Sequence, residues 1–268
     1  MKTRAITGFF FVLIMLSAVV FSPYSFSVFF VLLGIGSLIE FFKLIGRADE
    51  RARITEGVLL ALALFVPIVL FNLGLAPLYW LWLSVPFIAL IYIRELYRQS
   101  VRPFQQIAFT FFGLLYAVFP FILFSCMAFL SGTYTYYLPM GFLFLLWTND
   151  TGAYLVGMKF GKRKLFERHS PKKTWEGFIG GVCLALLVGF VLAQYYPQLA
   201  TWQWLGMAFL ISIFGTLGDL TESMLKRSYQ VKDSGTLLPG HGGLLDRFDG
   251  LLMAAPLVYV FLRITLSY

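Results

Sequence analysis

Long apolar runs separated by short polar breaks dominate this chain. Nine are readable, at about 5–22, 25–46, 56–74, 76–93, 105–130, 135–157, 175–195, 202–225 and 244–265. A run of about 20 apolar residues is long enough for a helix to cross a hydrocarbon core. A membrane barrel would show alternating segments about half as long. The expected fold is all-α, a polytopic integral membrane protein with about nine transmembrane helices. The first run follows Lys2 and Arg4 and looks like a signal peptide. It is long, however, and no Ala-x-Ala cleavage site closes it, so it reads as the first span.

Composition supports this pattern. Of 268 residues, 59% are hydrophobic and only 13% are charged, against about 25% charged in soluble domains. Length alone therefore says little about domain number. The net charge of +8 would suit nucleic acid, but its distribution does not. All of the 21 Lys and Arg except Arg263 lie before the first run or around alternate breaks between runs. Basic residues so placed orient a membrane protein and meet anionic headgroups. The pattern predicts a cytoplasmic N-terminus, a C-terminus outside and the lipid bilayer as partner. No nucleic acid is expected, since no basic face with interleaved aromatics stands outside the spans. Glu40, Asp150, Asp219, Glu222, Asp246 and Asp249 fall near the same ends of the runs as the basic residues. Chemistry is thus expected at the cytosolic face, where nucleotides are. Cys126 and Cys183 lie within apolar runs without a Cys or His at ligand spacing, which argues for lipid-buried thiols over a disulfide or zinc site. Residues 1–104 are apolar with short loops and read as a scaffold. Residues 105–268 hold both long polar loops and read as the working part.

The densest chemistry lies in residues 219–249. Charge beside a bilayer is costly and needs a reason. Asp246 and Asp249 open the ninth run at i, i+3 spacing, which puts both on one helix face. Asp219 sits near the cytoplasmic end of the eighth run, with Glu222 and Ser223 at i+3 and i+4. If these helices are neighbours, three carboxylates converge, a donor set that suits Mg²⁺ with substrate phosphates. The plainer alternative is ion pairing with Arg247, Lys226 or Arg227. Pro239-Gly-His-Gly-Gly243 precedes the helix; such a turn either offers backbone N–H groups to an anion or is an ordinary glycine turn. Lys226, Arg227 and Lys232 nearby favour phosphate. His241 is a general base, a phosphate donor or only a turn residue, while His169 reads as solvated. Trp147-Thr-Asn-Asp-Thr-Gly-Ala-Tyr154 is a polar break inside a span. There Asp150 is a metal or ribose ligand, or pairs with a lysine. Ser170-Pro-Lys-Lys-Thr-Trp-Glu-Gly177 brings Lys172 and Lys173 to a helix start, suited to a triphosphate or a lipid phosphate. P-loop, zincin and serine-hydrolase motifs are all missing.

Ser223-x-Leu225-Lys226-Arg227-x4-Lys232-Asp233-x-Gly235-x2-Leu238-Pro239-x-His241-Gly242-Gly243-Leu244-x-Asp246-Arg247-Phe248-Asp249 resembles the signature of the CDP-diacylglycerol synthases, or phosphatidate cytidylyltransferases. No position departs from that pattern. Residues 147–154 and 170–177 resemble upstream segments of the same family, while the first hundred residues match only in hydropathy. The resemblance implies that CTP and phosphatidic acid give CDP-diacylglycerol and pyrophosphate, with Mg²⁺ and a possible second cation such as K⁺. It implies a homodimer in the inner (plasma) membrane of a cell, with the site facing the cytoplasm. Under it, Asp219, Asp246, Asp249 and Asp150 are metal ligands. Lys226 and Arg227 serve catalysis. Asn149, Asp150, Lys172, Lys173, Ser223, Lys232, His241, Gly242, Gly243 and Arg247 bind substrate.

Three rivals stand beside this reading. A CTP-dependent lipid kinase would release CDP instead of pyrophosphate. A CDP-alcohol phosphotransferase motif is opened by Asp246-Arg-Phe-Asp249-Gly250, but its following Ala-Arg and final aspartate are missing. An ion-coupled transporter would also carry intramembrane carboxylates, yet two halves with matching broken helices are not seen.

Overall fold

The computed structural model describes residues 2–46, 54–98, 100–235 and 242–266, with side chains from residue 7 onward. Its helices are α1 (Lys2–Phe21), α2 (Pro23–Ile45), α3 (Ile54–Asn72), α4 (Ser84–Arg98), α5 (Pro103–Gly113), α6 (Phe119–Met127), α7 (Tyr137–Phe160), α8 (Trp175–Tyr195), α9 (Thr201–Ser228) and α10 (Leu245–Thr265). A 3₁₀ stretch, Leu78–Leu83, leads into α4, and a π-helical turn, Leu114–Val118, joins α5 to α6. The architecture is that of an all-α polytopic membrane protein. Among the described residues, seven helical segments are long and apolar enough to cross a membrane. The other two expected spans are α1, whose described apolar part Thr7–Phe21 is shorter, and α7, which carries the polar stretch 147–154. Helices dominate because hydrocarbon offers no water to satisfy backbone polar groups.

One element lies outside the all-helical expectation. Strands β1 (Lys164–Phe166) and β2 (Ser170–Thr174) form an antiparallel hairpin. The Glu176 carboxylate ties it to the start of α8 by accepting from the Lys162 and Arg163 amides at 3.0 and 3.2 Å. Trp175 N–H adds a bond to the Arg163 carbonyl. Thr174 then caps α8, its hydroxyl accepting from Gly177 N–H at 3.2 Å, which satisfies one donor left over at the helix start.

The chain forms two compact units, Met1–Thr133 with Asp233–Arg247, and Tyr134–Lys232 with Phe248–Tyr268. The boundary drawn in sequence at 104/105 falls inside the first unit. The core of that unit is aromatic. Phe26, Phe30, Phe121 and Phe124 pack ring on ring, as do Phe41, Phe112 and Tyr116.

The second unit is built on a different device. Here α7, α8, α9 and α10 approach through small residues. A Cβ on Gly177 would lie 3.1 Å from the Gly157 Cα, and one on Gly152 would lie 3.2 Å from the Gly181 Cα. Between α9 and α10, Gly215 and Gly250 meet backbone to backbone, and the Gly218 Cα has no room for a side chain beside the Asp249 carbonyl. Small residues serve this purpose in membranes, where helices associate through close packing and not through water exclusion.

Candidate active site

The glycine contacts decide where the aspartates of the second unit fall. Asp219 follows Gly218 on α9, and Asp249 precedes Gly250 on α10, so the closest point of the two helices lies beside both side chains. Asp249 is near enough to interact electrostatically with Asp219, Asp150 and Lys173. Asp150, on α7, in turn interacts with Lys173 and Asp219. Asn149 precedes it and is buried against α8, where a Cβ on Gly181 would lie 2.8 Å from its Oδ1. Lys173 projects from β2 and pairs with Asp219 at 2.6 Å, its Nζ also donating to the Thr216 carbonyl at 3.4 Å. Ser223 hydroxyl donates to Asp219 Oδ1 at 3.3 Å.

Three carboxylates within electrostatic reach of one ammonium, one of them paired with it, leave an excess of negative charge. Asp219 and Asp249 are half-buried and Asp150 is exposed on the protein surface. Such a set of hard oxygen donors fits a divalent cation. Among the described residues, no three His, Cys, Asp or Glu side chains close around one point as a finished metal cage. Mg²⁺ does not require one, since it is usually held by one or two carboxylates, waters and substrate phosphates.

Asp246 is arranged differently, within the first unit. Its Oδ2 accepts from Ser234 N–H and Ser234 Oγ at 2.9 Å each, and from Gly243 N–H at 2.8 Å. The anion that the Gly243 amide meets is therefore the chain's own carboxylate. Gly242 sits at φ +84, and a Cβ there would stand 2.7 Å from Asp246 Oδ2, so conformation and space both require glycine. Glu40 on α2, placed by the sequence among the acids near the cytosolic ends of the runs but given no site role, reaches the same loop.

The remaining candidates fall as follows. Lys226 pairs with buried Glu222 at 2.5 Å, one turn earlier on α9. Arg227 is exposed, its guanidinium donating to the Val231 carbonyl at 3.1 Å. Lys172, Lys232 and Arg247 are exposed. His169 stacks on Phe166. His241 lies outside the described residues.

The family model of the cytidylyltransferases matches residues 2–265, nearly the full length. The chain belongs to the cytidylyltransferase family. Among its relatives, the phosphatidate cytidylyltransferase of Bacillus subtilis strain 168 is 51% identical over 122 residues, 45% of each chain. That of Staphylococcus aureus strain COL is 47% identical over 128 residues, 47% of this chain and 49% of its own. That of Staphylococcus haemolyticus is 48% identical over 128 residues, with the same coverage. The chain spans about half the length of the curated relatives it matches.

Proposed function

We propose that this cytidylyltransferase transfers the cytidylyl group of CTP to phosphatidic acid, giving CDP-diacylglycerol and pyrophosphate. The observation that carries the reading is the ion pair of Lys173, on a hairpin, with Asp219, with Asp150 and Asp249 from two further helices within electrostatic reach. All four lie in or beside the segments that resemble the phosphatidate enzymes. The lipid phosphate brings its own oxyanion nucleophile. An oxygen of that phosphate attacks the α-phosphorus of CTP as the bond to the bridging oxygen of the β-phosphate breaks, and the electron pair leaves with pyrophosphate. No covalent enzyme intermediate is needed, so the protein contributes positioning and charge neutralisation.

In this reading Asp219 and Asp249 would hold Mg²⁺, with Asp150 and Asp246 as the further carboxylates that the sequence assigns to it. When bound, the ion neutralises phosphate oxygens and the departing pyrophosphate. Lys173 meets phosphate from the hairpin side. Arg227, Lys172, Lys232 and Arg247 supply exposed positive charge to the triphosphate and the lipid headgroup. Lys226 acts from its pair with Glu222, and Asn149 contacts the nucleotide. A homodimer in the plasma membrane, with this site on the cytoplasmic side, completes the reading; the one-sided distribution of Lys and Arg supports that orientation.

The test is an assay of purified protein in detergent with CTP, phosphatidic acid and Mg²⁺, following pyrophosphate and lipid product together. Lipid-dependent pyrophosphate with CDP-diacylglycerol is the expected result. CDP with a phosphorylated lipid would assign the kinase reaction instead. No turnover by folded protein, with ion-driven flux in liposomes lacking CTP, would make it a transporter. Within the same assay, Lys173→Met is expected to lower kcat about 100-fold, since a charged donor beside the reacting phosphates is worth roughly 3 kcal/mol. Lys172→Met, at the exposed position next to Lys173 on β2, is expected to cost less than about tenfold. Equal effects of the two would remove Lys173 from the site.

A further inference from the structure

The strongest unassigned feature is Glu40. It lies in the apolar helix α2 and is only 6% exposed. A carboxylate so placed needs strong hydrogen-bond donors. Its Oε2 accepts from Leu245 N–H at 3.1 Å and lies 3.5 Å from Ser234 Oγ. Leu245 is the first residue of α10, and the amides of a helix start have no partner within their own helix. A side chain from far earlier in the chain therefore caps the helix that carries Asp246 and Asp249, and its charge suits the positive end of the helix dipole.

The same carboxylate explains two glycines of the signature. A Cβ on Gly235 would lie 2.6 Å from Glu40 Oε1, and a Cβ on Gly243 would collide with Glu40 Oε2 and Ser234 Oγ. Gly235 and Gly243 are thus both pressed onto Glu40. Ser234 links the two acids, because its hydroxyl reaches Glu40 Oε2 and Asp246 Oδ2 while its amide holds Asp246. The Asp246 carboxylate is fixed by the loop, and the loop is fixed by Glu40.

We propose that Glu40 is a positioning residue for cytidylyl transfer, setting the Asp246 carboxylate through Ser234 and the first amide of α10. The proposal rests on the reading of Asp246 as part of the transfer site. Glu40 touches neither substrate; its effect passes entirely through the loop.

The test uses the full chain in detergent, with Glu40→Ala, Glu40→Gln and Ser234→Ala. Misplacement of a reacting group by about 1 Å costs about 100-fold in rate, so Glu40→Ala should lower kcat per folded molecule by that order. KM for CTP and for phosphatidic acid should stay within about threefold, because the substrate-contacting groups remain. Glu40→Gln keeps a carbonyl oxygen for the Leu245 amide and should recover most of the loss. Ser234→Ala should lower kcat in the same way, and the double variant with Glu40→Ala should be no worse than the poorer single one. Hydrogen exchange supplies a readout independent of activity: Glu40→Ala should speed exchange in residues 233–235 and 242–247 and leave the 164–174 hairpin unchanged. If Glu40→Ala does not fold, the Ser234→Ala and Glu40→Gln arms decide. Unchanged exchange in the loop overturns the proposal whatever the reaction is. So does a lower melting temperature with unchanged kcat, which would make Glu40 a purely structural cap. If the wild-type protein makes no CDP-diacylglycerol, the reaction assignment fails separately, and with it the catalytic consequence but not the loop contact that exchange reports.

Discussion

Asp219→Asn is expected to lower turnover by at least about 10³-fold, roughly 4 kcal/mol of transition-state stabilisation, while the protein still inserts and melts close to the wild type. Asp219 is half-buried and its pair with Lys173 is partly solvated on both sides. Losing such a pair costs little stability. Its chemical loss in the proposed reaction is larger, because a neutral amide lacks the negative charge a carboxylate offers a hard cation and because Lys173 is left without its carboxylate partner. Asp249→Asn should behave alike. Asp246→Asn should also abolish turnover in a folded protein, with the added loosening of a loop whose three donors converge on one oxygen. Measured kcat in the product assay, beside melting curves, checks all three. Near-normal turnover in Asp219→Asn or Asp246→Asn would sink that residue's assignment.

How much of this was legible in the sequence differs from element to element. The run at 175–195 became α8 at Trp175–Tyr195, because hydrocarbon permits an apolar segment of that length little else. The hairpin at 164–174 was not legible. Its sequence is charged and lacks alternation, and Glu176, which belongs to the next helix, holds its entry. The division of the chain into units was hidden for a similar reason. Residues Asp233–Arg247 fold with the first unit, through contacts such as Glu40 with Leu245 that no local pattern announces. At the site, residue types and spacing drew attention to Asp150, Lys173, Asp219, Asp246 and Asp249. Which of them meet is another matter, since helix periodicity orders residues within one helix and is silent about the neighbour. The pairing of Lys173 with Asp219, the use of Lys226 by Glu222 and the engagement of Asp246 by Ser234 are all tertiary facts of that kind.

Gly218 is a position where sequence suggested nothing and packing suggests a large effect. A side chain there would run into the Asp249 carbonyl, and its Cβ would stand 3.2 Å from the Gly250 Cα. Neither obstacle is the end of a flexible side chain, so α10 itself must move away from α9. That movement separates Asp219 from Asp249 without altering either carboxylate. Gly218→Val is therefore expected to reduce turnover by about 10³-fold and to lower the melting temperature, because a seam built on backbone contact cannot absorb the added volume. Gly218→Ala, with a single methyl, should fold and still lose about 100-fold by the same displacement. Gly46→Ala is the control, since a Cβ there meets nothing within 4 Å, and it should change neither quantity appreciably. The comparison separates geometry from chemistry. Full activity in Gly218→Ala would mean that the approach of α9 and α10 is not what holds the two aspartates at working distance.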